Sequence, residues 1–206
     1  MQLEALTSST KKLWPKLKEF REFVFAGGTA LAVQIGHRIS VDFDFFSEKE
    51  IPRSLLKKVE KIFGDSQVKV LLNNLDQLTV SIGGVNLTFV TYRFFTILPL
   101  VEFQGVRLLS VKEIAATKAY VLGRRSEYKD YVDLYFVMAE EHTTLEEICE
   151  LAQKKYGNEF NKRLFLEQLI YLEDVSESPI TFLKGKVTKA EIESFFEDPV
   201  KRMPLP

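Results

Sequence analysis

The sequence is short of cysteine. Cys149 is the only one in 206 residues, which excludes an intramolecular disulfide and suits a reducing compartment. Its helical surroundings favour a core thiol over a nucleophile. Long apolar runs are missing too. Nothing approaches the ~20 consecutive apolar residues of a membrane span, and the first residues carry Glu4, Lys11 and Lys12 where a signal peptide has its apolar stretch. No membrane association and a cytoplasmic location are therefore expected. An excess of one charge is also absent. The balance of 28 Lys and Arg against 29 Asp and Glu leaves a net charge of −1, so no global basic field advertises a nucleic-acid partner, and only a local patch stays open. There is no internal repeat and no low-complexity segment. What remains is an apolar content of 46% with 28% charged residues, the balance of a globular protein and not a disordered one. The length suits one large domain or two small ones.

Two neighbouring stretches carry the chemistry. Phe23-Val24-Phe25 reads as a short buried strand, Gly27-Gly28 breaks it, and Thr29–Ile35 reads as a helix. A strand–glycine–helix turn leaves backbone N–H groups open at a helix N-terminus, where a phosphate is well received. Next come His37-Arg38-Ile39-Ser40 and the run Val41-Asp42-Phe43-Asp44-Phe45-Phe46. Its aromatic and β-branched residues predict a strand, and strand alternation puts Asp42 and Asp44 on one face. Two carboxylates side by side repel unless a cation sits between them, and a hard ion such as Mg²⁺ or Mn²⁺ takes oxygen ligands. Alone, a Gly-Gly is a turn and an Asp-x-Asp a solvated pair. Within one strand–helix–strand unit they point together to phosphoryl or nucleotidyl transfer. Arg38 reads either as a phosphate or acidic-partner contact or as a solvated loop arginine, and His37 either as a ligand or as a histidine fixing the loop.

Around these stretches, residues 8–22 predict a helix, with Ser8, Ser9 or Thr10 as cap, Pro15 confined to a first turn, and Trp14 in the core. Pro52–Phe63 predicts a second helix stopped by Gly64. Gln67–Leu72, Gln77–Ile82 and Val85–Tyr92 alternate as strands, the last two joined at Gly83-Gly84 as a hairpin. Phe94–Leu98 reads as loop and Val101–Leu109 as a further strand, giving an α/β part with a mixed or antiparallel sheet. From Ser110 the pattern turns helical. Ser110/Glu113, Thr144/Glu147 and Thr188/Glu191 are spaced as capping boxes. They open helices to about Leu122, Tyr156 and Phe196, and a further helix is expected over Asn161–Glu173. Gly123–Lys129 reads as a loop and Asp130–Val137 as a helix. Pro199–Pro206 reads as an extended tail. Lys118 lies among alanines. Asp130 and Asp133 share a helix face; Asp130 suits the helix dipole, while Asp133, set among bulky apolar residues, needs a partner in Lys118 or in the Arg124-Arg125 pair. The cluster Lys184, Lys186 and Lys189 reads as a solvated face ahead of an RNA contact.

Gly27-Gly28-Thr29-Ala30-Leu31 followed by Gly36-His37-Arg38-Ile39-Ser40-x-Asp42-Phe43-Asp44 resembles the AbiEii/AbiGii-type toxin nucleotidyltransferases of the DNA polymerase β-like superfamily. The likeness is dense over Phe25–Ser47 and returns in Ser110–Val137, where Ser-x-x-Glu-Ile-Ala-Ala-x-Lys and Lys-Asp-x-x-Asp-Leu-Tyr match the family's later motifs. The resemblance implies a nucleotidyltransferase core with a mixed sheet followed by a C-terminal helical bundle. It implies a nucleoside triphosphate substrate, an RNA (tRNA included) or protein acceptor, and a cognate antitoxin. By position, Lys118 and Asp133 match the family's lysine and downstream aspartate. One departure is expected: the superfamily brings a third carboxylate from a later strand, and Thr88 stands at that place, with Asp76 and Glu102 as poorly placed substitutes.

The combined expectation is an α/β core over residues 1–109 and a helical part over 110–206, with the site in a cleft between them. Asp42 and Asp44 are the expected metal ligands, and Gly27, Gly28, Thr29, Arg38 and Lys118 are expected around the triphosphate. Lys118 and Asp133 join the two aspartates as catalytic candidates, while His37, Ser40 and Asp130 are assigned no definite role. Thr88 keeps a second possibility open, a nucleotide- or partner-binding protein on a catalytically reduced scaffold.

Overall fold

The computed structural model describes residues 1–122 and 124–204, leaving aside the side chain of Ser66. Gly123 of the expected loop and the last two residues of the expected tail lie outside the described residues. The chain divides into two compact units, Met1–Ser110 and Val111–Pro206.

The first unit is a seven-stranded mixed sheet with helices. Helix α1 (Ser8–Leu13) is capped by Thr7, whose side chain accepts from the Thr10 amide. The cap lies one residue before the expected candidates, and Thr10 is buried. The predicted single helix over 8–22 is two pieces. A 3₁₀ turn, Trp14–Phe20, takes over where Pro15 removes a backbone donor. Strand β1 (Val24–Ala26) runs into helix α2 (Gly27–Ile35), whose first residues are the two glycines. Strand β2 (Phe43–Ser47) begins after Asp42, so Val41, 48% exposed, lies outside the strand it was expected to join. Helix α3 (Leu55–Phe63) starts after the Pro52 turn and stops at Gly64. Strands β3 (Val68–Asn73), β4 (Gln77–Ile82) and β5 (Val85–Thr91) form a meander. The expected strand over 101–109 is a hairpin, β6 (Val101–Phe103) and β7 (Val106–Leu108), because the chain turns back at Gln104-Gly105.

The strand order is β3-β4-β5-β2-β1-β7-β6. The β2–β5 and β1–β7 pairings are parallel and the remainder antiparallel. Burial alternates along β2, β4 and β5. The buried face carries Phe43, Phe45, Leu87, Phe89, Leu78 and Val80, each at most 1% exposed. Rings from distant segments meet there. Phe45 stacks on Phe89 at 5.3 Å, Phe20 lies 5.0 Å from Phe89, and Trp14 meets Phe25 edge-on at 5.7 Å. Such pairs contribute about 0.5–1.5 kcal/mol each beyond their area burial. The opposite face is half-buried and polar, and it carries Asp44 and Thr88.

The second unit is helical: α4 (Val111–Leu122), α5 (Tyr128–Ala139), α6 (Leu145–Tyr156), α7 (Lys162–Leu169) and α8 (Lys189–Arg202). Thr188 and Glu191 form a complete capping box. At Thr144 only the threonine half forms, since the Glu147 carboxylate accepts instead from Thr143 and Lys112. Helix α7 stops at Leu169, short of the expected Glu173, and the chain then turns. Helix α8 runs past Phe196 and through Pro199 to Arg202, where an extended tail was expected. The buried Phe196 and Met203 anchor this last stretch on either side of the proline, and Glu197–Lys201 and Asp198–Arg202 pair at helical spacing.

Candidate active site

The glycine bend and the second aspartate meet directly. Strand β2 lies between β1 and β5, and Asp44 is opposite Ala26 on one side and Thr88 on the other. Gly27 follows Ala26 with φ +71°, a conformation L-residues avoid, and a Cβ at Gly27 would sit 2.7 Å from Asp44 Oδ2. The first turn of α2 and the Asp44 carboxylate are therefore in contact, and only glycine leaves room for both. Phosphate at that helix end would meet backbone donors beside a carboxylate.

Asp42 is held differently. It precedes β2, so no ladder pairing fixes it. Its Oδ1 accepts from the Asn86 amide at 3.3 Å, and its backbone carbonyl accepts from Thr29 Oγ1. Thr29 is 2% exposed, and its hydroxyl also meets Ser40 Oγ at 2.6 Å. The Ser40 amide donates to Ala5 O at 2.8 Å, tying the loop to the N-terminal segment. His37 is fully buried, and so is all but 5% of Arg38, whose Nη1 donates to Ile39 O at 3.2 Å. Burial removes the solvated-loop alternative for Arg38.

Asp42 and Asp44 are both half-buried, flanking the buried Phe43. Among the described residues no three His, Cys, Asp or Glu side chains gather as a metal cage. Two half-buried carboxylates nevertheless match Mg²⁺, which keeps several waters and is held by one or two carboxylates plus substrate phosphates. The donor set therefore fits such an ion. The neighbouring strand supplies no third acid. Thr88 stands beside Asp44 and hydrogen-bonds Thr79 across the next pairing at 3.3 Å. Asp76 is in an exposed turn near Arg93, and Glu102 is on β6, three strands from β2.

In the second unit, Lys118 is 7% exposed, not the solvent-facing lysine that composition alone favours. Its Nζ lies 2.7 Å from Asp130 Oδ1 and 2.5 Å from Asp133 Oδ2. Arg125 Nε approaches Asp130 Oδ2 at 3.4 Å. Lys118 thus answers the need of Asp133 for a partner, and Asp130 completes the cluster. Arg124 takes no part: it lies over the Tyr120 ring and donates to Glu159 O. Sequence reasoning missed Asn86 and singled out Arg125 only as one of two possible partners. It also missed a second buried pair, Lys155–Glu113 at 2.5 Å. The spacing of α4 and α6 residues carries no signal for that pairing. In the lysine cluster, Lys184 pairs with Glu140 and Lys189 donates to two backbone carbonyls.

The mixed seven-stranded sheet, with Asp44 of β2 beside a Gly-Gly helix start, has the fold of solved nucleotidyltransferases. Among solved structures, the nucleotidyltransferase toxin MenT4 from Mycobacterium tuberculosis is similar in fold. Its TM-score is 0.62 at 17% identity, with 94% of this chain and 83% of that one covered. JHP933 from Helicobacter pylori is also similar, with a TM-score of 0.58 at 18% identity and 96% and 94% covered. An uncharacterized protein of Aquifex aeolicus is 33% identical over 189 residues, 87% of each chain. Residues 13–203 match the family described as nucleotidyl transferase AbiEii toxin, type IV toxin–antitoxin system, and the chain belongs to that family. No helix among the described residues is long and apolar enough to cross a membrane.

Proposed function

We propose that this protein transfers a nucleotidyl group from a nucleoside triphosphate, with Mg²⁺ or Mn²⁺, to an RNA, tRNA included, or a protein acceptor, as the toxin of a pair with a cognate antitoxin. The observation that carries this reading is the contact between the Gly27 bend and the Asp44 carboxylate. Asp42 and Asp44 would hold the metal, whose chemistry is to neutralise charge on the triphosphate. The N–H groups of Gly28 and Thr29 would bind phosphate oxygens. In the second unit Asp133 would hold Lys118 in place, a role its 2.5 Å contact supports. Arg38, with its buried guanidinium, would keep the loop before Asp42 in shape.

The test is incubation with each α-labelled triphosphate, Mg²⁺ and total RNA or protein. Label should pass to an acceptor with the wild type and be lost in Asp44→Asn. Transfer from γ-labelled triphosphate would indicate a kinase and refute the reading. Thr88 beside Asp44 favours a second reading, a nucleotide-binding protein without turnover. Tight triphosphate binding with no transfer to any acceptor would establish it.

A further inference from the structure

We infer that Thr29 and Ser40 form a positioning device for Asp42, a chain of two oriented hydroxyls that fixes the one metal-side carboxylate lying outside the sheet. The inference rests on the metal reading given above and assigns the Thr29 hydroxyl a task other than touching the nucleotide. The direction of each hydrogen bond follows from chemistry. The Asp42 carbonyl can only accept, so Thr29 Oγ1 spends its single proton there. Ser40 Oγ, 2.6 Å from Thr29 Oγ1, must then be the donor of that contact. The order is Ser40 O–H to Thr29 O, and Thr29 O–H to Asp42 C=O. The Ser40 amide is itself fastened to Ala5 O at 2.8 Å.

The need for such a device differs between the two aspartates. Asp44 lies within β2 and is paired on both sides. Asp42 is outside the ladder, and besides this chain the Asn86 amide holds its carboxylate at 3.3 Å. Thr29 is in the first turn of α2, two residues from Gly27, and is 2% exposed. One side chain therefore links the start of the phosphate-facing helix to the approach of the carboxylate strand. Groups that orient a metal ligand through its partners commonly set metal affinity by about 10- to 100-fold.

The experiment compares wild type, Thr29→Val, Thr29→Ser, Ser40→Ala and Asp44→Asn. The first readout is Mn²⁺ binding by electron paramagnetic resonance in the presence of a non-hydrolysable triphosphate. The second is amide hydrogen exchange across residues 37–44 without metal. Thr29→Val, isosteric but without the hydroxyl, should weaken Mn²⁺ binding by about tenfold or more and speed exchange at 40–42, while Thr29→Ser restores both. Ser40→Ala should show the same changes to a smaller degree, and it carries the test if Thr29→Val does not fold. Wild-type Mn²⁺ affinity in both Thr29→Val and Ser40→Ala overturns the inference, as does failure of Thr29→Ser to restore it. A wild type that binds no Mn²⁺, or binds it equally in Asp44→Asn, overturns the metal reading and this role with it.

Discussion

Gly27→Ala is the substitution that separates the geometry of the site from the stability of the fold. Alanine at φ +71° carries a left-handed backbone cost of about 1–2 kcal/mol. Its Cβ would also stand 2.7 Å from Asp44 Oδ2, about 0.7 Å inside the 3.4 Å at which ordinary contact begins. The backbone of Asp44 is paired to both neighbouring strands, so its carboxylate has to turn away or the bend has to open. Either movement takes the carboxylate off its place at the helix start. Gly83→Ala is the matched control: φ is +57° and nothing lies within 4 Å of its Cβ. Chemical denaturation should therefore show both variants destabilised by about 1–2 kcal/mol. Transfer activity and metal affinity should fall only in Gly27→Ala, activity by about 10²-fold, as a misplacement near 1 Å can cost. If Gly27→Ala keeps activity and metal affinity within a few-fold of Gly83→Ala, the bend does not position Asp44 and the reasoning fails.

Lys118→Met should destabilise the protein by about 3–5 kcal/mol, because Asp133 loses its 2.5 Å cation while fully buried. Adding Asp133→Asn to it should recover part of that loss, both read by urea unfolding. Thr88→Asp puts a second carboxylate beside Asp44 in register. Stability should drop by roughly 0.2–1 kcal/mol without divalent cations and recover on adding Mg²⁺, and a thermal melt indifferent to Mg²⁺ would show that no ion sits there. Burial pushes the Cys149 thiol up to about 11, above the ~8.5 of an unfolded thiol. Its contribution to stability is complete below the unfolded value and is lost as pH rises from there towards 11, by up to ~1.4 kcal/mol per pH unit. A Cys149→Ala variant should lack that share of the alkaline loss in pH-dependent unfolding.

Much of the first unit was legible because its strands are amphipathic. Alternation marked β4 and β5, and Gly83-Gly84 marked the turn between them. Boundaries failed where a single residue overrides a pattern. Pro15 splits the first helix into α and 3₁₀ pieces. Gln104-Gly105 folds an expected strand into a hairpin. Pro199 looked like an end and is carried inside α8 because apolar anchors and ion pairs continue beyond it. Local sequence offers the proline but not the packing that outweighs it.

The aspartates themselves were legible, and the resemblance set Thr88 with them, but the Asn86 amide was not legible, for a physical reason. Alternation tells which residues share a face of one strand, but it does not tell which strand lies alongside. That Thr88 stands beside Asp44, and the Asn86 amide beside Asp42, follows from the parallel β2–β5 pairing, which joins segments some forty residues apart through β3 and β4. The buried charges of the second unit make the same point through energy. An aspartate among apolar residues announced that it needed a cation, because an unpaired charge there is costly. The count of partners was hidden. Lys118 is shared by two carboxylates. Arg125 adds a cation at Asp130 from a half-exposed position. The buried cluster is thus supported by a side chain at its rim, and Arg125→Gln should weaken the hold on Asp130 while leaving the Lys118–Asp133 contact in place.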